Sequence, residues 1–216
     1  MDTVLSFLLS LAVLVISIAI HEFSHAITAD RLGDSTPRRQ GRITLNPLAH
    51  LDPLGTLMIV MSSLAGFGIG WGKPVQVNPR AFRTTPRAGM GIVAVAGPVS
   101  NVLLALIGAI LLRALSLPDL ALQFVFLWIV INLALALFNM IPVFPLDGYN
   151  VFIALLDSLR QGWSRQLADL WQRQTQYGAL FLMLLIVIDW QLPAISPLKW
   201  LFGAPFQRLL ALFLGW

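Results

Sequence analysis

Apolar runs alternate with short polar segments along nearly the whole chain, and their lengths predict its elements. Residues 4–20 are apolar. With the turn that follows they predict one helix to about Asp30, long enough to cross a bilayer. The polar segment 31–53 carries Arg31, Arg38, Arg39 and Arg42, with turns expected at Asn46-Pro47 and Asp52-Pro53. Residues 54–71 start apolar and become glycine-rich, with glycine at every second position from Gly66 to Gly72. That pattern suits a strand, a turn or close backbone approach better than a helix. After an extended polar stretch, 73–86, come two clear spans at 88–112 and 120–140. Residues 151–177 read as amphipathic helix and 178–188 as a short apolar one. The tail from Pro193 reads as a proline-broken re-entrant or interfacial helix, with Trp190, Trp200 and Trp216 in the aromatic belt.

Composition turns this pattern into a class. Hydrophobic residues make up 57% of the 216 residues and charged residues only 11%, far from the roughly one-quarter charged of soluble domains. The chain reads as an all-α multi-pass membrane protein, because lipid cannot satisfy an open backbone. Asp2 is the first charge and no basic stretch precedes the first apolar run, so that run is expected to be a retained helix rather than a cleaved signal. Cysteine is absent, which excludes disulfides and thiolate metal sites. The net charge of +4 sits in loops, and no basic-aromatic pattern points to nucleic acid. Three basic segments, 31–42, 73–87 and 160–173, are all expected on the cytoplasmic side. That holds only if 54–71 dips into the membrane and returns.

One short stretch carries chemistry. His21-Glu22-Phe23-Ser24-His25 closes the first apolar run and holds the only glutamate and two of the three histidines. Histidines four apart share a helix face, so their imidazoles can hold one Zn²⁺, with Glu22 beside them as general base for water activated by the metal. Such a site normally takes a third protein ligand, and the candidates are His50 and the aspartates. Asp30, Asp34 and Asp52 lie in polar loops. His50, beside Asp52-Pro53, reads as a loop hydrogen-bond partner. Asp147 differs: it ends a span behind Pro142 and Pro145 and precedes Gly148, a carboxylate in broken backbone at membrane depth. It could instead cap a helix starting near Tyr149.

These residues carry a family likeness. His21-Glu22-Phe23-Ser24-His25, followed far downstream by Asn139-Met-Ile-Pro-Val-Phe-Pro-Leu-Asp147-Gly148, resembles the site-2 protease family of intramembrane zinc metalloproteases. The likeness spans about residues 5–150, and the stretches Arg42–Gly55 and Gly72-Lys73-Pro74 resemble the compact prokaryotic branch without PDZ or nucleotide-binding regulatory domains. It implies a three-helix intramembrane core over 1–150 and extra C-terminal helices over 151–216. It implies one Zn²⁺ held by His21, His25 and Asp147, with Glu22 as base and Asn139 as a catalytic residue steadying the substrate or its oxyanion. Gly97-Pro98-Val-Ser-Asn101 resembles a further element of the family's middle helix, which makes Asn101 a substrate-binding candidate. Gly66-Phe67-Gly68 resembles the turn of a re-entrant β-hairpin, at about 54–80, that binds substrate as an added strand.

The implied activity is that of a zinc metalloendopeptidase acting on transmembrane protein or peptide substrates, within the lipid bilayer of a prokaryotic cytoplasmic membrane. The active site would face the cytoplasmic side. A homo-oligomer stays open. Quieter readings exist. The histidines and Asn132 or Asn139 could bridge helices, and Gly66 and Gly68 could serve close packing. Glu22 could relay protons in a metal- or proton-handling transporter, and an inactive relative could bind membrane proteins. A transporter would spread polar groups through several spans, whereas here they gather at one depth.

Overall fold

The structure, a computed structural model, describes residues 3–64, 71–192 and 195–215. Among these the fold is helical: α1 (Thr3–Arg31), α2 (Thr36–Arg39), α3 (Pro53–Leu64), α4 (Pro86–Ala114), α5 (Asp119–Asn139), α6 (Asp147–Ser158), α7 (Gly162–Arg173), α8 (Thr175–Gln191) and α9 (Pro197–Leu214). Three of them, α1, α4 and α5, are long and apolar enough to cross a membrane, and α8 is apolar but only 17 residues long. The protein is an all-α, multi-pass integral membrane protein.

Local chemistry sets the helix ends. α1 stops at a Schellman turn: Gly33, at φ 113°, donates to Asp30 O, and Asp34 N reaches back to Ala29 O at 3.0 Å. Thr85 caps α4, its hydroxyl accepting from Ala88 N, with Pro86 at the first helical position. Asp52 accepts from Gly55 N at 2.8 Å ahead of Pro53, so the dipeptide expected to be a turn starts a helix.

α4 is the hub, packing against α1, α5 and α6. Small residues let it approach. A Cβ on Gly91 would overlap Ala154 of α6, and one on Gly108 would lie 2.9 Å from Ile129 of α5. Ala105, Ala109, Ile129 and Leu133 form a buried cluster that Leu214 of α9 closes. A second cluster joins α6 to α7 through Tyr149, Ile153, Leu156 and Ala168. The division expected at residue 150 falls inside α6.

The polar segments 31–53 and 71–86 fold onto each other beside α1. Leu51 and Gly72 form an isolated antiparallel bridge, and Lys73 N donates to His50 O at 2.7 Å. The chain therefore leaves at Leu51 and is back beside it at Gly72, as a segment that enters and returns requires. Its first half departs from the expected β-hairpin. Residues 53–64 are α-helix, because Asp52 and Pro53 start one and the glycines at alternate positions begin only at Gly66. Twelve residues rise about 18 Å, well short of a bilayer's apolar thickness of about 30 Å. Gly66 and Gly68 lie outside the described residues.

Candidate metal centre

α1 brings His21 and His25 to one face, each only 7% exposed. Asp147, the first residue of α6, meets them across the bundle. His21 Nε2 is 3.0 Å from His25 Nε2 and 3.1 Å from Asp147 Oδ2, and His25 Nε2 is 3.3 Å from Asp147 Oδ1. Among the described residues these three form the group able to hold a metal ion. His50 is elsewhere: fully buried, it bonds Thr44 O through Nε2 at 2.7 Å.

The hydrogen bonds behind the rings make this a metal site rather than a polar contact. His25 Nδ1 faces Val93 O at 2.7 Å and His21 Nδ1 faces Asn101 Oδ1 at 2.6 Å. Both partners are acceptors, so each Nδ1 carries the ring proton and each Nε2 is left with a bare lone pair. Asp147 Oδ2 is likewise buried with no hydrogen-bond donor. Lone pairs converging in a buried site repel unless a cation sits among them. Ligand atoms about 2 Å from a tetrahedral Zn²⁺ stand about 3.3 Å apart, close to the three separations found here. The residues fit Zn²⁺.

Two glycines make room. Gly97 brings α4 so close that a Cβ there would lie 2.5 Å from His21 Cε1 and from His25 Nε2. A Cβ on Gly148 would overlap the carbonyls of Met140 and Ile141, where the loop from α5 folds over the start of α6. Leu146, not Asp147, is the N-cap of α6, and the Asp147 carboxylate turns to the histidines.

Glu22 is held from the other side. Its Oε2 accepts from Val75 N at 3.1 Å and lies 3.9 Å from the Arg42 guanidinium. Arg42, 5% exposed, donates to the carbonyls of Ala49 and Lys73 and so ties both polar loops to Glu22. From the sequence Arg42 reads as one of the basic residues of 31–42. No spacing rule links it to Glu22, twenty residues earlier on the chain.

The structure also places Asn101 and Asn139. Asn101 is fully buried, with Oδ1 on His21 and Nδ2 on Asn132. Its amide is spent behind a ligand rather than open to substrate. Asn139 ends α5 and donates to Leu135 O of its own helix. Asn132, expected to bridge helices, does so.

Comparison with known proteins agrees with this geometry. Residues 115–185 match the sequence model of Peptidase family M50. "Putative zinc metalloprotease YwhC" of Bacillus subtilis is 44% identical over 147 residues, 64% of each chain. This chain thus spans slightly less than two thirds of that relative's length. "Putative zinc metalloprotease Rip2" of Mycolicibacterium smegmatis is 33% identical over 200 residues, 91% of this chain and 71% of that one. The Mycobacterium tuberculosis protein of the same name is 32% identical over 203 residues. No solved structure matches this chain significantly.

A buried two-histidine, one-carboxylate cluster among membrane-crossing helices defines the class, an integral membrane metalloprotein with zinc as its metal. The chain belongs to Peptidase family M50, the site-2 protease family of zinc metalloproteases.

Proposed function

We propose that this protein is an intramembrane zinc endopeptidase that hydrolyses peptide bonds within or beside transmembrane segments of other membrane proteins. The observation that carries the reading is that His21 and His25 are buried on a membrane-crossing helix, with Asp147 of α6 brought against them. Zn²⁺ held by His21, His25 and Asp147 would supply a Lewis acid for the scissile carbonyl and for water. Glu22 takes the proton from the attacking water and delivers it to the leaving amine. Val75 and Arg42 orient its carboxylate. Asn139 steadies the developing oxyanion.

A helical substrate hides its carbonyls in hydrogen bonds four residues apart, so it unwinds before attack. The segment after Gly72, which reaches Glu22 at Val75, lies beside the site and is the part of the chain to which such an unwound segment would dock. The basic stretches 31–42, 73–87 and 160–173 support a cytoplasmic orientation of the site, in a prokaryotic cytoplasmic membrane.

The test compares wild type with Glu22→Gln in detergent, measuring bound zinc and cleavage of single-span membrane peptides. Zinc in both and cleavage by wild type alone is expected. Equal cleavage by Glu22→Gln would remove the base assignment. A wild type that holds no zinc under conditions that do not strip metal would overturn the protease reading and favour a proton relay.

A further inference from the structure

The hydrogen-bond chain behind His21 ends on a backbone carbonyl, and that end decides every orientation in front of it. Trp128 O offers only lone pairs, so the Asn132 group facing it at 2.9 Å is the Nδ2 amide. Asn132 Oδ1 is then the atom facing Asn101, which presents its own Nδ2 at 2.8 Å. Asn101 Oδ1 is thereby left for His21 Nδ1, at 2.6 Å. Each step removes the twofold ambiguity that an asparagine amide otherwise has. Both asparagines are 0% exposed, so water does not compete for these bonds.

The consequence lies at the other end of the imidazole. An acceptor at Nδ1 places the ring proton there and leaves the Nε2 lone pair pointing at His25 and Asp147. Turned over, the Asn101 amide would present Nδ2–H to His21 Nδ1. The ring proton would then sit on Nε2, at the metal position. His25 needs no such relay, because its Nδ1 faces the carbonyl of Val93 directly, and a backbone carbonyl cannot turn over.

We infer that Asn132, on α5, is a positioning residue of the metal centre: acting through Asn101, it holds His21 in the tautomer whose Nε2 binds zinc. The inference rests on the zinc-protease reading of the same site and adds to it that the far helix of the core sets ligand chemistry on α1. A plain bridge between α4 and α5 would need only that the two amides touch. The relay needs their direction.

The experiment uses the full chain in detergent, metal-free and labelled with ¹⁵N-histidine, so that the ring nitrogens report each tautomer. Zinc affinity is then measured by competition with a chelator. Asn132→Leu keeps the branching of the side chain at Cγ but removes both polar ends. It is expected to shift His21 toward the Nε2–H tautomer, leave His25 unchanged, and weaken zinc binding by about 10- to 100-fold. Asn101→Asp added to Asn132→Leu presents an oxygen to His21 whichever way the carboxylate turns. It is expected to restore the wild-type tautomer and most of the affinity.

Asn132→Leu with His21 and zinc affinity at wild-type values overturns the proposal. A loss that Asn101→Asp does not reverse makes Asn132 a packing residue and overturns it equally. Absence of zinc binding by wild type would sink the protease reading alone, since the His21 tautomer in metal-free protein still decides the relay.

Discussion

The indole N–H of Trp171 donates to the carbonyl of Pro142 at 2.8 Å, tying α7 to the loop that presents Asp147. α8 braces the same loop, since a Cβ on Gly178 would lie 2.6 Å from Phe144 O. Leu182 of α8 packs with Ile141 and Leu146. The C-terminal helices thus form part of the frame of the third ligand.

Trp171→Phe keeps an aromatic ring beside Phe152, 5.2 Å away between centroids, and removes only the donor. Leaving the Pro142 carbonyl unpaired is expected to cost about 1–3 kcal/mol. The thermal midpoint in detergent should fall, and zinc affinity with it, because the loop before Asp147 loosens. An unchanged zinc affinity would show that α7 does not hold the ligand.

Gly97→Ala places a methyl group where the imidazoles of His21 and His25 now lie. Both rings must turn away, so bound zinc is expected to fall below about a tenth of wild type, while alanine's higher helix propensity keeps α4 helical. Gly162→Ala, with nothing within 4 Å of its Cβ, is the matched control and should retain full zinc content. Elemental analysis and circular dichroism read both variants.

Arg42→Lys tests whether the guanidinium fork matters beyond its charge. Lysine carries one ammonium and cannot reproduce the fork that reaches Ala49 O, Lys73 O and the neighbourhood of Glu22. Zinc content is expected to stay at wild type while turnover falls about a hundredfold, the scale of a roughly 1 Å displacement of a reacting group. Turnover equal to wild type would separate Arg42 from Glu22.

Asp34 predicts an acid sensitivity outside the membrane. Burial alone would push its carboxyl up. The Thr36 hydroxyl, the amides of Asn78 and Thr36 at 2.6 and 2.9 Å, and the nearby Arg39 charge together outweigh that and hold it below the ordinary carboxylate value. A depressed folded pKa favours the ionised form in the fold. Its stabilisation is therefore present above the unfolded value of about 3.9 and is lost as pH falls through the lower folded one. The thermal midpoint of wild type is expected to drop more steeply below about pH 4 than that of Asp34→Asn. Parallel curves would remove Asp34 as the cause.

Legibility in the sequence followed the range of the interactions. The spans at 88–112 and 120–140 emerged as α4 and α5 within a few residues, because a lipid-crossing helix is specified by its own apolar length. His21 and His25 could be paired from spacing alone, because four residues on a helix is itself a spatial statement. The helix at 53–64 is masked in the sequence because the glycines beyond it dominate the pattern, while its local start at Asp52 and Pro53 also reads as a turn.

By itself the sequence determined the membrane class, the helical spans and the His21–Glu22–His25 face, all properties of short windows under helix geometry and lipid solvation. Only the tertiary structure decided the rest. It brought Asp147 to the histidines across more than a hundred residues of chain, and put Asn101 behind His21 instead of before substrate. It also made Arg42 a link to Glu22 rather than a surface charge. The physical reason is that hydrogen-bond direction and burial depend on which helices meet. Close approach of α1, α4 and α5 is set by glycines and alanines whose partners lie on other helices.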